Sequence, residues 1–128
     1  MTAPRLALVV AATFAAATVM AGPAPAYAKG ADAVRSSSTC ATGVIKLKAK
    51  LDDGRIEVEV EVDTNRRGQV WALTLRDNGE RVWQGTRTTR APSGSFSLNK
   101  RIANRAGTDV ITVRATRGRT VCSTRVSL

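Results

Sequence analysis

The stretch from Ile45 to Asp63 constrains the fold more than any other part of the chain. Ile45, Leu47, Ala49 and Leu51 alternate with Lys46, Lys48 and Lys50. After Asp52-Asp53-Gly54-Arg55, the residues Ile56, Val58, Val60 and Val62 alternate with Glu57, Glu59, Glu61 and Asp63. A period of two is that of a strand with one face in a core and one in water. A two-residue turn at Asp53-Gly54 pairs residue 52 with residue 55. That register sets Lys50 opposite Glu57, Lys48 opposite Glu59 and Lys46 opposite Glu61. It also sets Leu51 on Ile56 and Leu47 on Val60. A one-residue slip would spoil both faces, so the pattern specifies one register. Each facing Lys–Glu pair is worth about 0.2–1 kcal/mol, and each accounts for a carboxylate that could otherwise suggest a glycosidase pair or a calcium site.

The rest of the chain to Leu128 continues in short strands separated by turn signals, and no helix is expected. Gln69 to Arg76 carries Trp71, Leu73 and Leu75 on one face. Asp77-Asn78-Gly79-Glu80 is a type I′ hairpin signal, and Arg81 to Thr89 returns. Ala91-Pro92-Ser93-Gly94 breaks the chain before the strand of Phe96 and Leu98, which runs to about Ile102. Asn104 to Thr108 is a loop. Ile111, Val113 and Ala115 form an inward row, Arg117-Gly118 turns the chain, and Val121 to Leu128 closes it. A turn at Arg117-Gly118 places Cys122 opposite Val113, on the inward side. Seven strands are expected in an all-β, antiparallel sandwich over residues 40–128. Residues 29–39 are small and polar and read as a flexible leader.

Residues 1–28 read as a signal peptide, with Arg5 before an apolar stretch from Leu6 to Met20 and a small-x-small site at Ala26-Tyr27-Ala28. Export to an oxidising compartment follows, and there the chain's two cysteines, Cys40 and Cys122, read as one internal disulfide. A free or intermolecular thiol is the alternative. The bridge would close almost the whole domain and stabilise it by about 4–5 kcal/mol on the chain-entropy model.

Seven strands in about 90 residues, an inward Trp71 on the third, and the runs Gly94-Ser95-Phe96 and Asn104 to Asp109 resemble the immunoglobulin-like and fibronectin type III-like sandwiches. The chain also resembles small secreted bacterial proteins of sandwich architecture. The cysteines depart from the immunoglobulin pattern, which links the second and sixth strands, and the corner tyrosine is absent. The resemblance implies architecture only. It also implies that first and last strands are neighbours, which suits a Cys40–Cys122 bridge.

The chemistry available to the chain is narrow. With no histidine there is no Ser-His-Asp or Cys-His catalysis and no His-ligated metal. There is no phosphate loop, dinucleotide fingerprint or nucleophile elbow. Asp63-Thr64-Asn65 is a faint calcium-loop motif, but Arg66 and Arg67 follow it and repel a cation. The expectation is a non-catalytic module with no cofactor and no metal.

Charge is the feature that remains. The 128 residues carry 20 Lys+Arg and 10 Asp+Glu. Residues 29–65 have 6 basic and 7 acidic side chains; residues 66–128 have 13 basic, 12 of them Arg, and 3 acidic. In the sandwich that the resemblance implies, the third, fourth, sixth and seventh strands form one sheet, whose outer face is expected to show Arg76, Arg81, Trp83, Arg87, Arg114 and Arg125. Guanidinium groups bind phosphate, sulfate or carboxylate bidentately, and an exposed indole can stack. This face is the candidate dock for an anionic polymer or an acidic protein; the plain alternative is a solubilising surface. The scarcity of aromatics argues against specific reading of nucleic acid. A second function hypothesis is an interaction module, such as an inhibitor of a secreted enzyme, working through the loops Asn65 to Gly68 and Ala91 to Gly94.

Overall fold

In the computed structural model, which describes residues 32–128, the Lys/Glu hairpin adopts its expected register without a slip. It joins β2 (Gly43–Asp52) to β3 (Arg55–Asp63), with Lys50 on Glu57, Lys48 on Glu59, Lys46 on Glu61 and Leu51 on Ile56. Asp53 and Gly54 both take positive φ, at 48° and 72°, as a type I′ turn demands. The expected signal peptide, 1–28, lies outside the described residues.

The chain continues through β4 (Val70–Asp77), β5 (Glu80–Thr88), β6 (Ser95–Ala103), β7 (Val110–Arg117) and β8 (Thr120–Ser127). Together with β1 (Val34–Cys40) these make two antiparallel four-stranded sheets, ordered β1-β2-β3-β6 and β5-β4-β7-β8. The strand count is therefore eight, not seven. The additional strand, β1, falls where a flexible leader was expected. It pairs along the free edge of β2 for most of its length, from Val34 on Ala49 to Cys40 on Gly43. Backbone hydrogen bonds hold it, so its sequence needs no apolar alternation. The small Ser36 and Ser38 take the inward positions, and Thr124 on β8 donates its hydroxyl to Ser36 Oγ at 2.8 Å.

Both inner faces are built from the expected rows. Ile45, Leu47 and Ala49, Ile56 to Val62 at alternate positions, Trp71, Leu73, Leu75, Phe96, Leu98, Ile111, Val113 and Ala115 are all buried. One flank of the sandwich is closed where β1 and β8 pack together. There Cys40 and Cys122 form the disulfide, with Cα atoms 5.1 Å apart. The last hairpin turns one residue later than expected. Arg117 pairs with Thr120, and Cys122 lies opposite Ala115 rather than Val113, still inward. The shift puts Gly118, at φ 58°, in the first central position of the turn, where Arg117 would have had to take a left-handed backbone.

Candidate anion-binding face

The outer side of the second sheet is set by the cross-strand pairing. Arg81 on β5, Arg76 on β4, Thr112 on β7 and Arg125 on β8 stand in one row. The adjacent row is Gln84, Thr74, Arg114 and Ser123. Arg76, Arg81, Arg114 and Arg125 are exposed, while their neighbours Leu75, Val113, Thr124 and Val126 are buried. Four of the six residues expected on this face are thus brought together, one from each strand. Arg76 donates to the Gly79 carbonyl at 3.2 Å and Arg81 to Gln84 Oε1 at 2.8 Å. Among the described residues, none of the four has a carboxylate within ion-pair distance.

Trp83 and Arg87 are not on that face. The ladder between β4 and β5 shifts by one residue next to Leu75, so that Trp83 pairs with Leu75 instead of Thr74, and Arg87 pairs with Trp71. The extra residue is Val82, which packs against the core, as Trp83 does. A regular strand would send two consecutive apolar side chains to opposite faces; the bulge lets both turn inward, at the sheet edge where bulges are common. The indole then lies at the flank opposite the disulfide, between the edge strands β5 and β6. Arg87 Cζ and Lys100 Nζ each sit 5.1 Å from its ring centroid. Gly85 makes room for the ring, because a Cβ there would come within 2.7 Å of Trp83 Cζ2. The sequence does carry a signal for this arrangement: Val82-Trp83 breaks the alternation, and a glycine follows two residues later.

The acids of the C-terminal half are engaged elsewhere. Asp77 and Asp109 are buried. Arg105 Nε lies 3.6 Å from Asp77 Oδ2 and its Nη1 lies 3.0 Å from Glu80 Oε2, while the Arg105 backbone N–H donates to Asp109 Oδ2 at 3.3 Å. The hydrogen bond and charge of Glu80 raise the Arg105 guanidinium above its ordinary pKa. These contacts pin the loop between β6 and β7 and, among the described residues, leave no carboxylate on the outer face of the second sheet.

The outer face of the first sheet is the opposite case. Lys46–Glu61, Lys48–Glu59 and Lys50–Glu57 are 3.8–3.9 Å apart, and Arg101–Asp52 is 3.6 Å. An open depression of about 490 Å³ on it is lined by Arg35, Ser37, Lys46, Lys48, Glu59 and Glu61 among others, so both signs are interleaved there. Among the described residues, no group of three or more His, Cys, Asp or Glu could hold a metal ion, and no helix is long and apolar enough to cross a membrane.

The two loops named for partner binding clasp each other. The Thr64 N–H and hydroxyl both donate to the Gly94 carbonyl, at 3.0 and 3.1 Å. Gly68 N–H donates to the Thr89 carbonyl, and the Thr89 hydroxyl to the Arg66 carbonyl. A Cβ on Gly94 would collide with the Arg66 backbone. Arg66, Arg67 and Arg90 are exposed around this clasp. No family model, curated protein or solved structure matches the chain.

Proposed function

We propose that the protein is an exported, non-catalytic binding module that docks an anionic partner through the outer face of β5-β4-β7-β8. The observation that carries this reading is the charge on the two outer walls. One interleaves lysine with glutamate; the other exposes Arg76, Arg81, Arg114 and Arg125 with no acid among them. Arg76 and Arg81 stand directly opposite each other, a like-charge pair that destabilises a free sheet. Trp83 takes no part in the dock. The disulfide is consistent with an extracellular protein. The strand order supports a fibronectin type III-like reading: β2, β3 and β6 fill the places of A, B and E, and β5-β4-β7-β8 those of C′-C-F-G, with β1 added.

The test is elution from an anionic matrix. Arg81→Glu with Arg114→Glu should elute at clearly lower salt than the parent. Arg66→Glu with Arg67→Glu, the same change in net charge off the face, should elute later than that pair. If the two double variants leave the column together, net charge alone governs binding and the face has no special role. The clasp between the two loops favours a second reading, a protein-interaction module presenting the rigid knob around Arg66 and Ala91 to Gly94. It predicts a salt-tolerant complex, lost on changing the loops and kept on changing the face.

A further inference from the structure

We propose that the occupant of this face is a linear polymer of phosphodiester-linked polyol units, lying across the four strands with its phosphates on Arg81, Arg76, Arg114 and Arg125 in turn. This rests on the docking reading above and names the partner.

The argument begins with the register. One arginine comes from each strand, all within two adjacent cross-strand rows. Strands lie about 4.8 Å apart, so the band crosses three gaps and is about 14 Å wide. Arg81 and Arg76 are direct partners, their Cβ atoms about 5 Å apart, whereas Arg76 to Arg114 and Arg114 to Arg125 are diagonal steps of about 7–8 Å along the sheet surface. A small anion can satisfy one such step. Engaging all four groups needs a flexible chain with a charge every several ångströms. A polyol phosphate places about six bonds of ~1.5 Å between phosphorus atoms, or roughly 7 Å when extended.

The neighbours of the band decide between polymers. Trp71 and Phe96 are buried and Trp83 is turned inward, so among the described residues no aromatic ring stands on this wall. Single-stranded nucleic acids bound without sequence readout are held by stacking on aromatic rings as well as by charge, and this wall offers a base no such platform. A chain with neither bases nor rings loses nothing here. The next row is uncharged, with Thr86, Ala72, Thr116 and Val121, which confines the cationic track to one line. Arg76 and Arg81 hold facing positions, so a phosphate between them can take a fork from each in exchange for their bonds to the Gly79 carbonyl and Gln84 Oε1.

The experiment is titration of fluorescently labelled poly(glycerol phosphate) with the mature protein over a series of salt concentrations. Parallel arms use an oligothymidylate of equal charge, heparin and poly-glutamate. Four phosphate contacts give a slope of log K on log salt near −3, at about −0.7 per contact. Arg76→Gln, Arg81→Gln, Arg114→Gln and Arg125→Gln should each make the slope shallower by about 0.7, while Arg66→Gln with Arg67→Gln leaves it unchanged. Arg81→Gln should also raise the melting temperature of the free protein at low salt, a rise that a purely structural role for Arg81 would reverse. Equal or tighter binding of oligothymidylate, heparin or poly-glutamate, with the same dependence on the four arginines, overturns the polymer assignment and leaves the docking face standing. Slopes that ignore all four substitutions in every arm overturn both.

Discussion

At the scale of single residues, Trp83 shows how a side chain can escape the alternation of its strand. Its indole is enclosed by Gly85 beneath and by Arg87 and Lys100 at its ring. The glycine is there for space, since its added Cβ would stand 2.7 and 2.9 Å from two ring carbons. Gly85→Ala should therefore cost about 1–3 kcal/mol, the usual penalty for overpacking. Urea denaturation followed by tryptophan fluorescence measures it. A variant as stable as the parent would mean that the ring does not lie against residue 85. The same geometry explains why Arg87, though charged, belongs with the flank and not with the basic wall.

At the scale of elements, the β2–β3 hairpin joins charge pairing and hydrophobic register in one unit. Its Lys–Glu pairs are partly exposed, Lys48 and Glu59 at 36% and 42%, so each contributes a modest and salt-screened amount. Glu59→Lys places like charges opposite each other and should destabilise by about 0.5–1 kcal/mol at low salt. Adding Lys48→Glu restores an opposite pair and should recover most of that loss. The double-mutant cycle gives the coupling directly; a coupling of zero would leave apolar packing alone in charge of the register. The β4–β5 hairpin behaves differently because its edge strand absorbs an extra residue, a freedom that β3, held between β2 and β6, does not have.

At the scale of the molecule, the sandwich is closed by unlike devices on its two flanks. The disulfide joins β1 to β8 across 82 residues of sequence, and the Trp83 group stands between β5 and β6. Replacing both cysteines by serine should lower the unfolding free energy by about 4–5 kcal/mol, the loop-closure value for a separation of this size. Thermal denaturation of the oxidised, reduced and double-serine proteins checks it, and a loss below about 1 kcal/mol would assign that flank to strand packing. The separation of charge between the two walls belongs to this scale as well, since it arises from which strands share a sheet rather than from any local motif.

Much of this architecture was legible in the amino-acid order, because inward and outward positions of a regular strand separate by parity and turns of the Asp-Gly and Asn-Gly type fix the pairing around them. The buried rows and the β2–β3 register follow from such local rules, as does the outward parity of Arg76, Arg81, Arg114 and Arg125. The grouping of β4, β5, β7 and β8 on one wall follows from the resemblance to a sandwich, and the Cys40–Cys122 pair from an even cysteine count in a chain read as exported. Three features needed the folded chain. β1 has no apolar rhythm of its own and exists because β2 offers it a free edge. The last turn moved to bring glycine into a left-handed position. The bulge at Val82 turned Trp83 and Arg87 inward, because enclosing an indole against a distant strand outweighed keeping one ladder regular. Parity is inherited residue by residue along a strand, but where it is interrupted depends on surfaces that meet only after the two sheets have packed.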